Sequence, residues 1–365
     1  GSGWVTENNK WLSDQSVEEG GGGTLGCCEH MSDKQCRYAH VRIIESTDAR
    51  VIVHYRYALC DILYRIPRTN KKTGWGDWVD EYFTIYPDAV GIRNAKYYTS
   101  DLGHYSFQDT QFLSQPGTRP EDNIEMESLT LANQAGQIRT LSWAKEVPDS
   151  NLKDANIELV NLKSEYKPFV IFEPGAEIEP WGQSEKNDYC PWPTWNHWPA
   201  GQVLSDGRLA TAPDRLTHSA LGEVDIDTLK HDMMMYGLTD EGAAALIPLA
   251  RSWNSPPKLN VTSKGFTSKG YDQPQRAYVL TQDLPADSLA VTIEGSKDSP
   301  IHNPCFVVQN WNGDRKVTLK INGKTIQPGP DFRQGFETAG TRTGHALVIW
   351  LKQASESPMN LEISQ

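Results

Sequence analysis

The segment Thr194-Trp195-Asn196-His197-Trp198-Pro199, arriving after Tyr189-Cys190-Pro191-Trp192-Pro193, sets one titratable imidazole and one amide among three tryptophans. Its prolines hold the backbone away from helix. Indole faces stack on sugar rings, and an imidazole beside an amide is a common proton-handling pair. The plainer alternative makes Trp192, Trp195 and Trp198 core anchors. His197 is the leading candidate for proton transfer, with Tyr189 or Tyr105 as its partner. His104, which follows Gly103 in a loop between strands, is a further candidate. His231 and His302 read as structural or solvated.

Other polar chemistry sits on strands. In Val51-Ile52-Val53-His54-Tyr55-Arg56-Tyr57 the two-residue period sends His54 and Arg56 to one face. In Ala39-His40-Val41-Arg42-Ile43, His40 and Arg42 likewise share a face. An odd-numbered connecting loop would put all four on one side as a cationic floor, and an even one would separate the pairs. An ordinary solvated strand face is the plain alternative. Asp206-Gly207-Arg208 brings another guanidinium close in sequence to His197.

Histidine, tyrosine, arginine and an amide are the parts needed for β-elimination from a uronic acid. The C5 proton is removable only if charge growing on the adjacent carboxylate is neutralised by Arg, Asn, Gln or a cation. A neutral His or an ionised Tyr then takes that proton, and a second group protonates the leaving oxygen at C4. In this scheme His197, Tyr189, Tyr105 and His104 handle protons. Asn196, Arg42, Arg56, His54 and Arg208 bind carboxylate or sulfate, while Trp195 and Trp198 stack on sugar. Glycoside hydrolysis would instead need two carboxylates at a set separation, and no motif selects a pair from Asp80, Glu81, Glu173, Glu177 and Asp188. A nucleophile elbow, a Walker loop, a dinucleotide fingerprint and a His-Glu-x-x-His helix are absent from the sequence.

The elements that must position these groups are short strands. Runs at 39–44, 50–62, 78–86, 90–98, 124–132, 137–143, 157–162 and 168–172 are rich in β-formers and separated by turn signals. Residues 1–38 read as a loop-rich segment around Gly20 to Gly23, and 39–222 as a large antiparallel β-sandwich carrying the cleft. Leu229, Met233 and Tyr236, followed by Thr239 and the run 243–250, predict a helical connector over 223–255. Beyond it, 256–365 reads as a smaller β-sandwich, with Asn322-Gly323 as its clearest hairpin turn. The fold class expected is therefore all-β, two sandwiches joined by a short helical connector.

At 365 residues the chain exceeds a single ordinary core. Its net charge of −12 argues against nucleic acid, and an acidic ligand would need a local cluster of Arg and Lys. No apolar run approaches the about 18 residues of a membrane span. Six cysteines permit one or two disulfides without showing any. Cys27-Cys28-Glu29-His30 with Cys36 and His40 superficially suggests zinc, but its spacing matches no standard finger. The chemistry above requires no cofactor, and a structural metal is left open.

Three stretches resemble bacterial ulvan-degrading enzymes. They are Gly76-Asp77-Trp78-Val79-Asp80-Glu81-Tyr82 with Tyr86-Pro87-Asp88, Trp195-Asn196-His197-Trp198-Pro199 with Asp206-Gly207-Arg208, and Ser299-Pro300-Ile301-His302-Asn303-Pro304 with Asn310-Trp311. The similarity spans most of residues 40 to 351. It points to the ulvan lyases of polysaccharide lyase family 40 and to the oligosaccharide dehydratases of the same degradation pathway. The larger sandwich is then expected to be a mutarotase-like super-sandwich. The resemblance implies a secreted or periplasmic enzyme acting on a sulfated rhamnose–uronate polymer, with His197 as base or acid and Asn196 on the carboxylate. Many uronate lyases with a β-sandwich also carry an α/α toroid, and this chain has too little helix for one. The expected activity is a carbon–oxygen lyase. Water elimination from an oligosaccharide end, a non-catalytic carbohydrate-binding protein and a glycoside hydrolase are the alternatives.

Overall fold

The structure is a computed structural model that describes residues 2–6, 11–18, 23–25, 27–101, 105–114, 118–145, 147–182, 192–195, 217–313, 316–337 and 345–365. The protein is all-β, built from several largely antiparallel sheets, none closed into a barrel. Contacts divide the chain into two compact units. The first holds 1–41, 55–81 and 94–245; the second holds 42–54, 82–93 and 246–365.

A nine-stranded sheet runs in the order Ile138–Leu141, Ile124–Ala132, Ile157–Leu162, Lys167–Ile171, Met233–Thr239, Val90–Tyr98, Trp78–Ile85, Val51–Ala58 and His40–Ser46. A seven-stranded sheet has Tyr105–Ser114 at its middle, flanked by Trp11–Glu18 and Thr217–Asp225. Within the first unit the two sheets meet through Trp4 on Tyr236, Tyr97 on Tyr105, and a hydrogen bond from Thr110 to Glu158. Ile157–Leu162 is buried at every position, so it lies between covered faces and shows no alternation in sequence.

In the second unit two five-stranded sheets pack face to face. Leu289, Val291, Ile293, Leu319, Leu361 and Ile363 of one meet Leu280, Phe306, Val308, Leu347, Ile349 and Leu351 of the other. The outer face of the second of these sheets is covered too. Ala277, Cys305, Val307, Val348 and Trp350 pack with Ala49 and Tyr86, contributed by the 42–54 and 82–93 segments. One pairing is parallel, Ala277–Gln282 with Cys305–Trp311. Asn322 and Gly323 both adopt positive φ (49° and 80°), the conformation a two-residue primed turn requires.

Two expectations are corrected. Residues 223–255 are not a helical connector: Thr217–Asp225 and Met233–Thr239 are strands, and helix is confined to Ala243–Asn254 after a 3₁₀ turn at Ile226–Thr228. Met233 to Gly237 are all buried, because this strand lies between Lys167–Ile171 and Val90–Tyr98; unbroken burial erases the two-residue period and leaves spacings that mimic a helix. The N-terminal segment is not simply loop either. It supplies the strands Ser2–Val5, Trp11–Glu18 and Cys28–Glu29, because Trp11–Glu18 pairs with Tyr105–Ser114, and such pairing overrides a weak local pattern.

Candidate functional site

The Trp-rich motif is anchored at its beginning. Thr194–Trp195 pairs antiparallel with Thr217–Asp225, Thr194 opposite Ser219 and Trp195 opposite His218. Just before it, Trp192 is fully buried, donates its indole N–H to Ser128 at 2.8 Å and lies edge-on to Phe112. Trp192 is therefore a core anchor, as the plainer alternative held. His197, Asn196, Trp198, Tyr189, Arg208 and His104 lie outside the described residues, and Trp195 is described by its backbone alone.

Tyr105 opens the middle strand of the seven-stranded sheet and is 3% exposed. Its hydroxyl donates to Asp77 at 2.5 Å, and the same carboxylate oxygen also accepts from Arg68 (2.8 Å) and Thr99 (3.0 Å). A buried phenol bonded to a buried carboxylate is poorly placed to meet substrate. This corrects the expectation that Tyr105 partners His197: Tyr105 holds Asp77, and with it the start of the Trp78–Ile85 strand.

Arg56, also in the first unit, pairs with Asp80 at 3.6 Å while remaining 42% exposed. Its guanidinium lies 5.7 Å from the Tyr98 ring centre, and Lys96 lies 5.1 Å from the same ring. Asp80 leaves Arg56 a partly neutralised cation, which weakens its pull on a ligand anion.

In the second unit the structure brings Arg42 and His54 together. The connecting residues 47–50 form a four-residue loop closed by Thr47, whose N–H donates to the Arg50 carbonyl at 2.9 Å. An even loop was expected to separate the pairs. Arg42 Nε nevertheless donates to His54 Nδ1 at 3.3 Å. Arginine has no acceptor, so Nδ1 must be unprotonated and the imidazole neutral with its proton on Nε2. Tyr82 stacks on this ring at 4.7 Å and 15° between planes. His54 is buried, whereas Arg42 and Tyr82 are exposed.

Sequence reasoning gave Tyr82 and Lys96 no role and weighed Asp80 only as a hydrolytic carboxylate. Asp80 and Tyr82 stand two apart on one strand, as His54 and Arg56 do on another. Both lie in the Gly76 to Tyr82 stretch of resemblance, which assigned neither of them to the site.

A second polar cluster in this unit is structural. Arg50 is buried and meets Glu45 through two parallel bonds of 2.8 and 2.9 Å. Arg276, in left-handed backbone (φ 48°), is bound by Asp88, whose carboxylate also accepts from Asn303 at 2.9 Å. Burial, then the Arg276 charge, pushes His302 down to about 4. The stretch 299–304 therefore serves the packing of the smaller unit.

The middle strand of the seven-stranded sheet buries Gln108, Asp109, Thr110 and Gln111 in succession. Asp109 stands directly opposite Glu223 across the strand pair. Glu223 accepts from Ser106 and from the Trp181 indole (3.0 Å). Cys27, Cys28, Cys36, Cys60 and Cys305 are free thiols, and Cys190 lies outside the described residues. Burial, reinforced by Glu29 and Asp33 respectively, pushes Cys27 and Cys60 up to about 12, so both stay protonated near neutrality. Among the described residues no group of three or more His, Cys, Asp or Glu is placed to hold a metal, so the zinc suggested by Cys27 to His40 has no geometric support. No described helix is long and apolar enough to cross a membrane. Comparison of the chain with protein-family models and with curated proteins finds no match.

Proposed function

We propose that the protein is a carbon–oxygen lyase that cuts an acidic, uronate-containing saccharide by β-elimination. The Arg42–His54–Tyr82 cluster is the observation that supports this reading. It sets an exposed guanidinium, a neutral imidazole and a stacked phenol side by side. A uronate carboxylate is a better partner for Arg42 than an imidazole is, because it offers charge and two acceptors. Binding it would draw the guanidinium off His54 Nδ1 and free that lone pair. His54 then takes the C5 proton, the C4–O bond breaks as the C4–C5 double bond forms, and the Tyr82 hydroxyl protonates the departing oxygen. Imidazolium and phenolate return to their starting states by exchange with water. A sulfated, ulvan-like polymer as substrate and a secreted or periplasmic location come with the resemblance. Loss of water from an oligosaccharide end would use the same proton steps.

The test is incubation with a panel of uronate polymers, read by ultraviolet absorbance of the unsaturated product and by product mass. His54→Gln and Tyr82→Phe should each lower turnover by about 10²–10⁴-fold while the fold, read by circular dichroism, persists. His197→Ala run in parallel decides whether the Trp-rich motif supplies the base instead. No unsaturated product from any polymer sinks the lyase reading.

Glycoside hydrolysis is kept as a second reading because Asp109 and Glu223 stand opposite one another across a strand pair, and that chemistry needs two carboxylates held together. Reducing ends without new absorbance, lost in Glu223→Gln, would favour it.

A further inference from the structure

Residues 64–78 of the first unit form a loop built to hold an indole in solvent. Asn70 closes it: its N–H donates to the Trp75 carbonyl at 2.7 Å, and its carbonyl accepts from Gly74 at 2.8 Å. Its side-chain oxygen accepts from the N–H groups of Lys72 and Thr73 at 2.9 and 3.2 Å. Gly74 turns at φ 73°, and a Cβ on Gly76 would lie 2.6 Å from Ile66 and 2.7 Å from the Pro67 carbonyl. The turn is thus fixed on both sides of Trp75. Yet Trp75 is 59% exposed, set 5.3 Å from Trp78, which in turn packs edge-on against Tyr38. The Trp78 indole nitrogen is buried, with no hydrogen-bond partner among the described residues.

Exposed cations outnumber exposed carboxylates in these segments. Every carboxylate in 33–41 and 55–81 is buried: Asp33, Asp61, Asp77, Asp80 and Glu81. Asp61 and Asp77 are taken by Arg65 and Arg68, and the exposed Asp101 lies 3.7 Å from Arg68. Lys34, Arg37, Lys71 and Lys72 are exposed, and none forms an ion pair among the described residues. In a chain of net charge −12, the loop that exposes Trp75 thus also carries two unpaired lysines, Lys71 and Lys72.

We infer that the Trp75 loop is a binding subsite for an acidic polysaccharide, with the indole stacking on a sugar ring and Lys71, Lys72 and Arg37 meeting its sulfates or carboxylates. Sugar rings offer an apolar face to an aromatic ring, and their anionic substituents account for cations crowded round it. Rigid presentation lowers the ordering cost of binding. Single-stranded nucleic acid would use the same contacts but meets a strongly negative chain. The subsite rests on the saccharide reading above.

The experiment is affinity electrophoresis of the full chain through gels containing ulvan, dextran or a single-stranded oligonucleotide. Retardation by ulvan but not dextran, weakened at least about tenfold in Trp75→Ala and in Lys71→Ala/Lys72→Ala and abolished by salt, is the expected result. Both changes are at exposed positions, and circular dichroism checks that the fold is intact. Retardation equal to wild type in both variants overturns the proposal, as does equal retardation by dextran or stronger retardation by the oligonucleotide. If wild type turns nothing over but Trp75-dependent retardation remains, the lyase reading falls and the subsite stands.

Discussion

At the scale of single residues, charge is placed where its partner is fixed. Arg276 and Asp88 are both nearly sealed from water, with side chains 3% and 8% exposed, and are joined at 3.0 Å. Asp88→Asn should leave a buried guanidinium without its counter-charge and lower stability by about 3–5 kcal/mol, measured by denaturant unfolding. His302 gives the pH dependence. The unfolded chain protonates this imidazole at about 6.5, the folded chain only at about 4. Between those values the unfolded state binds more protons, so stability falls as pH drops from 6.5 toward 4. The melting temperature should be lower at pH 5 than at pH 7, with a smaller difference in His302→Gln. A melting temperature that ignores pH over this range, or an undiminished difference in the variant, contradicts the assignment.

At the scale of elements, strands bounded by turn signals were legible even where both faces are covered, as in Ile157–Leu162, and strands without that punctuation were not. Asn322-Gly323 announced its turn because only positive φ at both positions closes such a hairpin. Val51–Ala58, Trp78–Ile85 and Val90–Tyr98 were readable from β-rich composition and flanking turns. Met233–Thr239 failed because its buried methionines fit a helix as readily as a strand. Tyr105–Ser114 escaped because Gln108, Asp109, Thr110 and Gln111 look like loop until neighbouring strands satisfy them. The Arg42–His54 contact was half legible: the residue types stood out, but the loop-length argument pointed the wrong way, and the stretch of resemblance that contains Tyr82 gave it no role. Gly222 tests the sheet itself. A Cβ there would lie 2.4 Å from the Glu179 carbonyl oxygen, on the adjoining strand and beside a register shift after Ala220. Gly222→Ala should cost about 1–3 kcal/mol by thermal unfolding, since backbone atoms cannot step aside as a flexible side chain can.

At the scale of the molecule, the smaller unit is stitched from distant chain. Its two five-stranded sheets come from beyond residue 246, but 42–54 and 82–93 belong to the same compact body. Ala49 and Tyr86 cover one face, Arg50 donates to Gln275 at 3.0 Å, and Asp88 answers Arg276. A fragment of residues 256–365 expressed alone should therefore bind a dye for exposed apolar surface and unfold at lower denaturant than the intact chain. A fragment as resistant as the whole would show those segments to be dispensable.

That interleaving also bears on inheritance. A gene segment encoding residues 256–365 would carry strands of the smaller body without the residues that seal and neutralise it, so a recombination event could not move it as a cassette. Any lineage that recombined this segment onto another protein would have had to replace its missing cover at the same time.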